Sequence, residues 1–341
     1  MTLAGGTRLR GEASARGTER PHQNMSGPRV TAPLTRAEAL TLPRPRGAVW
    51  ERVRGVSLRL DWRPDISRDA MFLMGILVGL SQAGGWFAAP VDAVMYWESG
   101  TSAHLYPETW SVITSGQLPY PPVIAQVSTL LQPIGWPAFV LLLTTATFAA
   151  FWYCAREWSL PLIILGLPWL FGIGPEEPSK FLTYALIGNL QWILAALTVM
   201  ALRHPALWSI ELVTKVTSAA GWWWHVLRGE WRAAATGAAV TLAIVALSFA
   251  LAPAMWIDYL GFAARNFTAA DPPIPTFPIP FGIRLATSVP LLILGARTNR
   301  PWTVPVVCGW SLVGLYSFGF LPFFVAAWRV RAAGAPDRGP R

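Results

Sequence analysis

The sequence predicts an all-α polytopic membrane protein, and three observations carry that prediction. Successive apolar runs of about 17–25 residues recur from Asp69 to the C-terminal region, the length a bilayer-crossing helix requires. Of 341 residues, 53% are hydrophobic and only 13% are charged, with a mean hydropathy of +0.40. The chain also carries 19 Trp, a residue whose wide amphipathic ring favours the membrane–water interface.

The charge balance sets the expected topology. The net charge is +9, but much of it lies in the N-terminal tail and in short loops, where it acts as a positive-inside signal rather than as a nucleic-acid surface. Nearly every basic residue is Arg, Lys180 and Lys215 being the exceptions. Cys154 and Cys308 both sit in apolar runs without a CxxC spacing or a neighbouring His, so neither a metal nor a redox role is expected.

Residues 1–65 are rich in Arg, Gly, Pro, Thr and Ala and show no sustained apolar periodicity, which predicts a disordered basic cytoplasmic tail. No apolar core with a small-residue cleavage site marks a signal peptide there, and Met25 offers an alternative start. Val49 to Trp62 reads as a basic amphipathic helix on the inner leaflet, or as more solvated tail. The membrane domain spans 66–330, followed by a cytoplasmic tail, 331–341.

The first span runs from Asp69 to Ala89 and delivers the stretch Val91–Pro122 to the outer side. That loop holds Asp92, Glu98, His104 and Glu108 among aromatics, with no Lys or Arg. Asp92 to Trp97 predicts a short interfacial helix, and Tyr120–Pro122 starts another, since Pro suits a first helical turn. Pro133 and Pro137 interrupt the next apolar stretch, after which Ala138–Tyr153 descends to Arg156. Leu160–Ile173 rises to the outer turn PEEPSK, and Phe181–Leu202 returns, carrying Asn189 and Gln191 within the span.

Ala206–Leu227 begins and ends at basic residues and carries Glu211 and Lys215 midway, which predicts two half-helices meeting near Lys215. Arg232–Ala252 then rises to an outer loop, Pro253–Phe281, containing Arg265, and Gly282–Ala296 descends. Trp302–Trp328 is interrupted by Gly319 and Pro322 and reads as a second hairpin. The expected architecture is a bundle of about eight to ten transmembrane helices with both ends inside and a structured first outer loop. No internal repeat of fixed period is apparent.

Several motifs, in order, resemble a known family. D-x-x-x-Y-W (Asp92, Tyr96, Trp97), H-L-Y-P around Tyr106, and Y-P-P at Tyr120 resemble the first outer loop of family 87 of the glycosyltransferases. These are polyprenol-phosphate-mannose-dependent mannosyltransferases of the GT-C membrane fold. G-N-L-Q (Gly188–Gln191), T-K-V-T (Thr214–Thr217) and R-G-E-W-R (Arg228–Arg232) continue the likeness over roughly residues 70 to 300. Ser218 stands where the family's K-x-T-P pattern has Pro, and the second outer loop has no clear counterpart of a late His.

The resemblance implies transfer of a hexose, mannose first, from a polyprenyl-phosphate sugar to a glycolipid or cell-envelope glycan acceptor outside a bacterial plasma membrane. It implies neither cofactor nor metal, and no DxD pair, Gly-rich phosphate loop or zinc spacing is present.

An inverting transfer needs a base for the acceptor hydroxyl, and a partly buried carboxylate has a pKa suited to that role. Asp92 is the candidate; its structural alternative is a helix N-cap. Tyr96, Trp97, Tyr106 and Tyr120 are candidates for stacking on sugar faces, or else interface anchors. Lys215 is the candidate phosphate ligand, with an ion pair to Glu211 one turn earlier as its alternative, and Arg265 is the runner-up. Asn189 and Gln191 are substrate contacts or interhelical hydrogen-bonding groups. His104 and Glu108 are expected to be solvated. Two other functions compete: a secondary transporter or flippase, which also uses broken helices and buried charges, and a non-catalytic membrane subunit.

Overall fold

The structure, a computed structural model, describes residues 66–87, 90–107, 116–170, 180–267, 279–312 and 319–333. The basic tail, Glu108, the PEEPSK turn short of Lys180, most of the Pro-rich stretch after Phe267, and the C-terminal tail from 334 lie outside the described residues. The chain divides into Met1–Trp62 and a compact unit, Arg63–Arg341, to which every described residue belongs.

That unit is all-helical among the described residues. Its elements are α1 (Ile66–Ala83), α2 (Val91–Ser99), α3 (Val123–Leu131), α4 (Trp136–Ala155), α5 (Ser159–Leu170), α6 (Lys180–Leu186) and α7 (Gln191–Ala201). There follow α8 (Trp208–Thr214), α9 (Trp223–Leu227), α10 (Trp231–Leu251), α11 (Pro253–Phe267), α12 (Phe281–Arg297), α13 (Thr303–Trp310) and α14 (Leu321–Ala332). Two segments, Trp136–Gly166 and Trp231–Leu251, are long and apolar enough to cross a bilayer. The first of them contains a break at Arg156, whose φ of 54° takes the backbone out of helical geometry.

Packing starts from the pair α1 and α4. Gly75 and Gly79 face α4 so closely that a Cβ on either would lie 3.0 Å from an α4 atom, Phe148 Cβ or Leu141 Cα. This small-xxx-small seam brings two backbones together where larger side chains would hold them apart. Gln82 then ties three elements: its amide donates to Leu186 O at 2.6 Å and its carbonyl accepts from Thr144 Oγ1 at 2.9 Å. The main core lies between α4, α7, α8 and α14, around the fully buried Phe148, Phe151, Trp192, Trp208 and Phe323. Phe151 and Trp192 meet with ring centroids 4.3 Å apart.

The outward faces are apolar too. Leu77, Ile164, Leu242, Leu247 and Leu251 are 54–71% exposed, and α10 buries little of its surface. A face of this kind is stable only against an apolar surrounding or partner.

Several expectations are corrected here. Pro133 lies in a single turn of 3₁₀ helix and Pro137 in the first turn of α4, so neither interrupts a helix. Pro is harmless there because the first-turn amides have no intrahelical acceptor. Phe181–Leu202 is not one span; it breaks at Gly188–Leu190 into α6 and α7. Pro253–Phe267 is helix, not loop. The break near Lys215 is present: α8 ends at Thr214, Lys215 has φ −122° and ψ 86°, and a 3₁₀ turn leads into α9. The last apolar region is likewise split between α13 and α14.

Candidate functional site

The candidate site is built where the N-terminus of α2 meets the α6–α7 break. Gly188 has φ +76°, and a Cβ there would come within 2.8 Å of Ala93 Cβ. Glycine is therefore required twice over, for the left-handed turn and for the close approach of α2. The approach lets Asp92 N donate to Ile187 O at 2.9 Å. It also aligns the next residue, Asn189, between two partners. Its carbonyl oxygen accepts from the Gln191 backbone N–H at 2.9 Å, capping α7, and its Nδ2 donates to Asp92 Oδ2 at 2.5 Å.

Asp92 is half-buried in the first turn of α2, whose N-cap is Pro90. The capping alternative is thus excluded: its carboxylate serves Asn189 rather than the amides of its own helix. Burial pushes the Asp92 carboxyl above its ordinary 3.8, while the Asn189 hydrogen bond and the charge of Lys215 pull it back in part. The second carboxylate oxygen has no hydrogen-bond partner among the described residues.

Tyr96, one turn further along α2, is buried, and its ring meets Tyr120 edge-on at 6.0 Å. Burial holds the Tyr96 phenol well above its usual range, reinforced by Tyr120 and Asp92, so it remains a protonated donor. Lys215 reaches the same place from the α8 break, its Nζ 5.5 Å from the Tyr120 ring centre. A helix end there frees the lysine to project from the bundle seam instead of lying along a helix. The expected Lys215–Glu211 ion pair does not form. Glu211 is fully buried and satisfied instead by Thr198 Oγ1 at 2.8 Å and Ser218 Oγ at 2.5 Å. Ser218, the departure from the family pattern, therefore has a definite task.

Asp92, Tyr96, Tyr120, Asn189 and Lys215 thus form one cluster drawn from four separate stretches of chain. The other candidates fall elsewhere. Trp97 packs against Trp136 at 5.9 Å and Phe139 at 5.2 Å, closing the seam between α2 and α4. Tyr106 stacks on Phe262 and tilts against Tyr259, both on α11, with ring centroids 5.6 Å away in each case. Its hydroxyl is buried without a partner, and burial raises its pKa. Gln191 is buried behind the break, its Oε1 unpartnered. Arg265 is exposed on α11, and His104 is exposed as expected.

One constellation has no counterpart in the sequence reading. His225 is buried with Nδ1 2.8 Å from Glu230 Oε2, and Glu230 Oε1 accepts from Arg228 Nε at 3.0 Å. Arg228 also donates to Ala296 O at 3.3 Å, so the group clamps α9, the start of α10 and the end of α12. The R-G-E-W-R run was its sequence signal, with the histidine three residues upstream.

Comparison of this chain with protein families, with curated proteins and with solved structures finds no match in any of the three.

Proposed function

We propose that this chain is a membrane-embedded glycosyltransferase with Asp92 as general base. In this reading the apolar outer faces are covered by lipid, the bundle crosses the bacterial plasma membrane with both termini inside, and α2 lies at its outer surface. The observation that carries the proposal is the Asp92 cluster. A half-buried carboxylate of raised proton affinity is fixed by an amide on one oxygen and has the other available, with a lysine nearby that does not neutralise it by contact.

The reaction is a direct displacement. An acceptor hydroxyl on a glycolipid or cell-envelope glycan attacks the anomeric carbon of a polyprenyl-phosphate hexose, mannose first. The new C–O bond forms as the bond to the phosphate oxygen breaks, Asp92 takes the hydroxyl proton, and polyprenyl phosphate leaves as an anion. Lys215 offsets the charge that develops on that phosphate, and the Tyr120 and Tyr96 rings line the sugar's path. Asn189 acts as a positioning residue, holding the carboxylate in one rotamer.

Turnover of a polyprenyl-phosphate sugar by the purified full chain in proteoliposomes tests this. Wild type transfers sugar, and Asp92→Asn loses about 10²–10⁴-fold, the usual contribution of a general base. Transfer undiminished in the variant removes Asp92 from the role. The side-by-side breaks at Gly188 and Lys215, with buried Glu211 beneath them, suit a transporter as well. Uptake of a solute by the same vesicles, without any sugar transfer, decides for that alternative.

A further inference from the structure

Three arginines far apart in sequence converge at the other end of α4. Arg156 follows the last turn of α4, Arg203 follows α7, and Arg329 lies on α14. The Arg329 guanidinium sits 3.7 Å from the centre of the Tyr153 ring, and that of Arg156 sits 5.5 Å from the same ring and 4.3 Å from Trp152. Arg203 and Arg156 both lie close enough to repel Arg329 electrostatically.

This cluster lacks a counter-charge. Among the described residues no carboxylate forms an ion pair with any of the three guanidiniums, and none of the three donates a side-chain hydrogen bond. Arg329 Nη1 is buried with no partner, and so is Trp152 Nε1 beside it. Holding like charges together without an anion costs free energy, as does a buried donor left unsatisfied.

The backbone adds a second cost at the same place. Arg156 has φ 54° and ψ −127°, a region that only glycine enters freely. The residue at that C-terminal position of α4 is nevertheless an arginine. Strain, repulsion and unpaired donors concentrated at one point describe a site whose stabilising partner is an anion.

We propose that Arg156, Arg203 and Arg329 bind a phosphoryl group, with the Trp152 and Tyr153 rings supporting the guanidiniums. Arginine forks match the oxygens of a phosphate in paired hydrogen bonds, and a phosphate carries the charge that three clustered cations lack. The ligand is either the phosphodiester headgroup of an anionic lipid or free inorganic phosphate. The proposal is independent of the transferase reading: α4, at its 1.5 Å rise per residue, puts this site about 30 Å from the Asp92 end.

The test uses the purified full chain in maltoside micelles, which contain no phosphate. Phosphatidylglycerol or inorganic phosphate is titrated in, reading the thermal midpoint and the lipid retained in native mass spectrometry. The wild-type midpoint rises with ligand. Arg329→Gln weakens binding at least about tenfold, and Arg203→Gln, an exposed change that spares the fold, weakens it less. Arg156→Gly separates binding from folding: with the strain released, its ligand-free midpoint equals or exceeds wild type while its response to ligand is lost. A response to phosphatidylglycerol alone identifies a lipid site, and an equal response to inorganic phosphate identifies a site for the free ion. No response to either ligand overturns the proposal, as does wild-type affinity in Arg329→Gln and Arg156→Gly.

Discussion

Asn189 Nδ2 donates to Asp92 Oδ2 at 2.5 Å across 97 residues of chain, joining the break between two helices to the first turn of a third. Because the same Asn189 caps α7, the carboxylate is held by the fold rather than by a mobile side chain. The following predictions rest on that relationship and on its neighbours.

The Asp92 carboxyl titrates above its ordinary 3.8, chiefly through burial. A base works only when ionised, so the acid limb of kcat/KM has its midpoint above that value. The stability consequence has a defined sign. A carboxyl whose folded pKa is raised contributes stability that is complete below the unfolded pKa and lost as pH rises through the folded one. At neutral pH the ionised Asp92 is therefore a net cost, and Asp92→Asn melts higher than wild type while losing activity. A lower melting midpoint for the variant would show that the Asn189 and Lys215 interactions outweigh desolvation.

Asn189→Asp places a second carboxyl against the first. Two acids in contact cannot both ionise readily, so the acid limb moves to higher pH. Asn189→Ala instead loses the donor and the α7 cap, lowering stability by about 1 kcal/mol and kcat more than KM. A pH–rate profile of both variants checks this, and an unmoved limb in Asn189→Asp would uncouple the two residues.

Gly188→Ala meets both a left-handed φ and the Ala93 side chain at 2.8 Å. The expected cost is about 1–3 kcal/mol, with α2 displaced from the break. Thermal unfolding reads the first effect. The second appears as lost transfer even at temperatures where the variant stays folded.

Lys215→Gln removes a charge that no carboxylate contacts, so the fold tolerates it. If Lys215 holds the donor phosphate, KM for the polyprenyl donor rises about tenfold or more, and Lys215→Arg recovers part of it. Ser218→Ala acts differently: it strips one donor from the buried Glu211 and destabilises by about 1–3 kcal/mol. Melting and donor titration together separate the two neighbours.

Topology is checked by thiol labelling, since Cys154 and Cys308 are buried. A cysteine at exposed Asp258 on α11 reacts with an impermeant reagent from outside. One at exposed Arg297, closing α12, reacts only after lysis. The reverse pattern would invert the bundle.

Local sequence already encoded much of this molecule. Apolar runs forecast helices, because burying a helical face is read residue by residue. The break at Lys215 was legible because two charges inside an apolar run leave few other arrangements. Asp92 stood out as an acid beginning an aromatic helix. What local pattern could not contain is partnership. The Gly188–Asn189 dipeptide is a turn signal that an apolar run masked, and its contact with Asp92 depends on α2 packing onto the break. Likewise, nothing in the sequence distinguishes Trp97, which packs against α4, from Tyr96, which joins the site. Arg156, Arg203 and Arg329 looked like separate topology markers until α4, α7 and α14 brought them together. Hydropathy is a property of a segment, whereas a site is a distance between segments, and only the packed helices set distances.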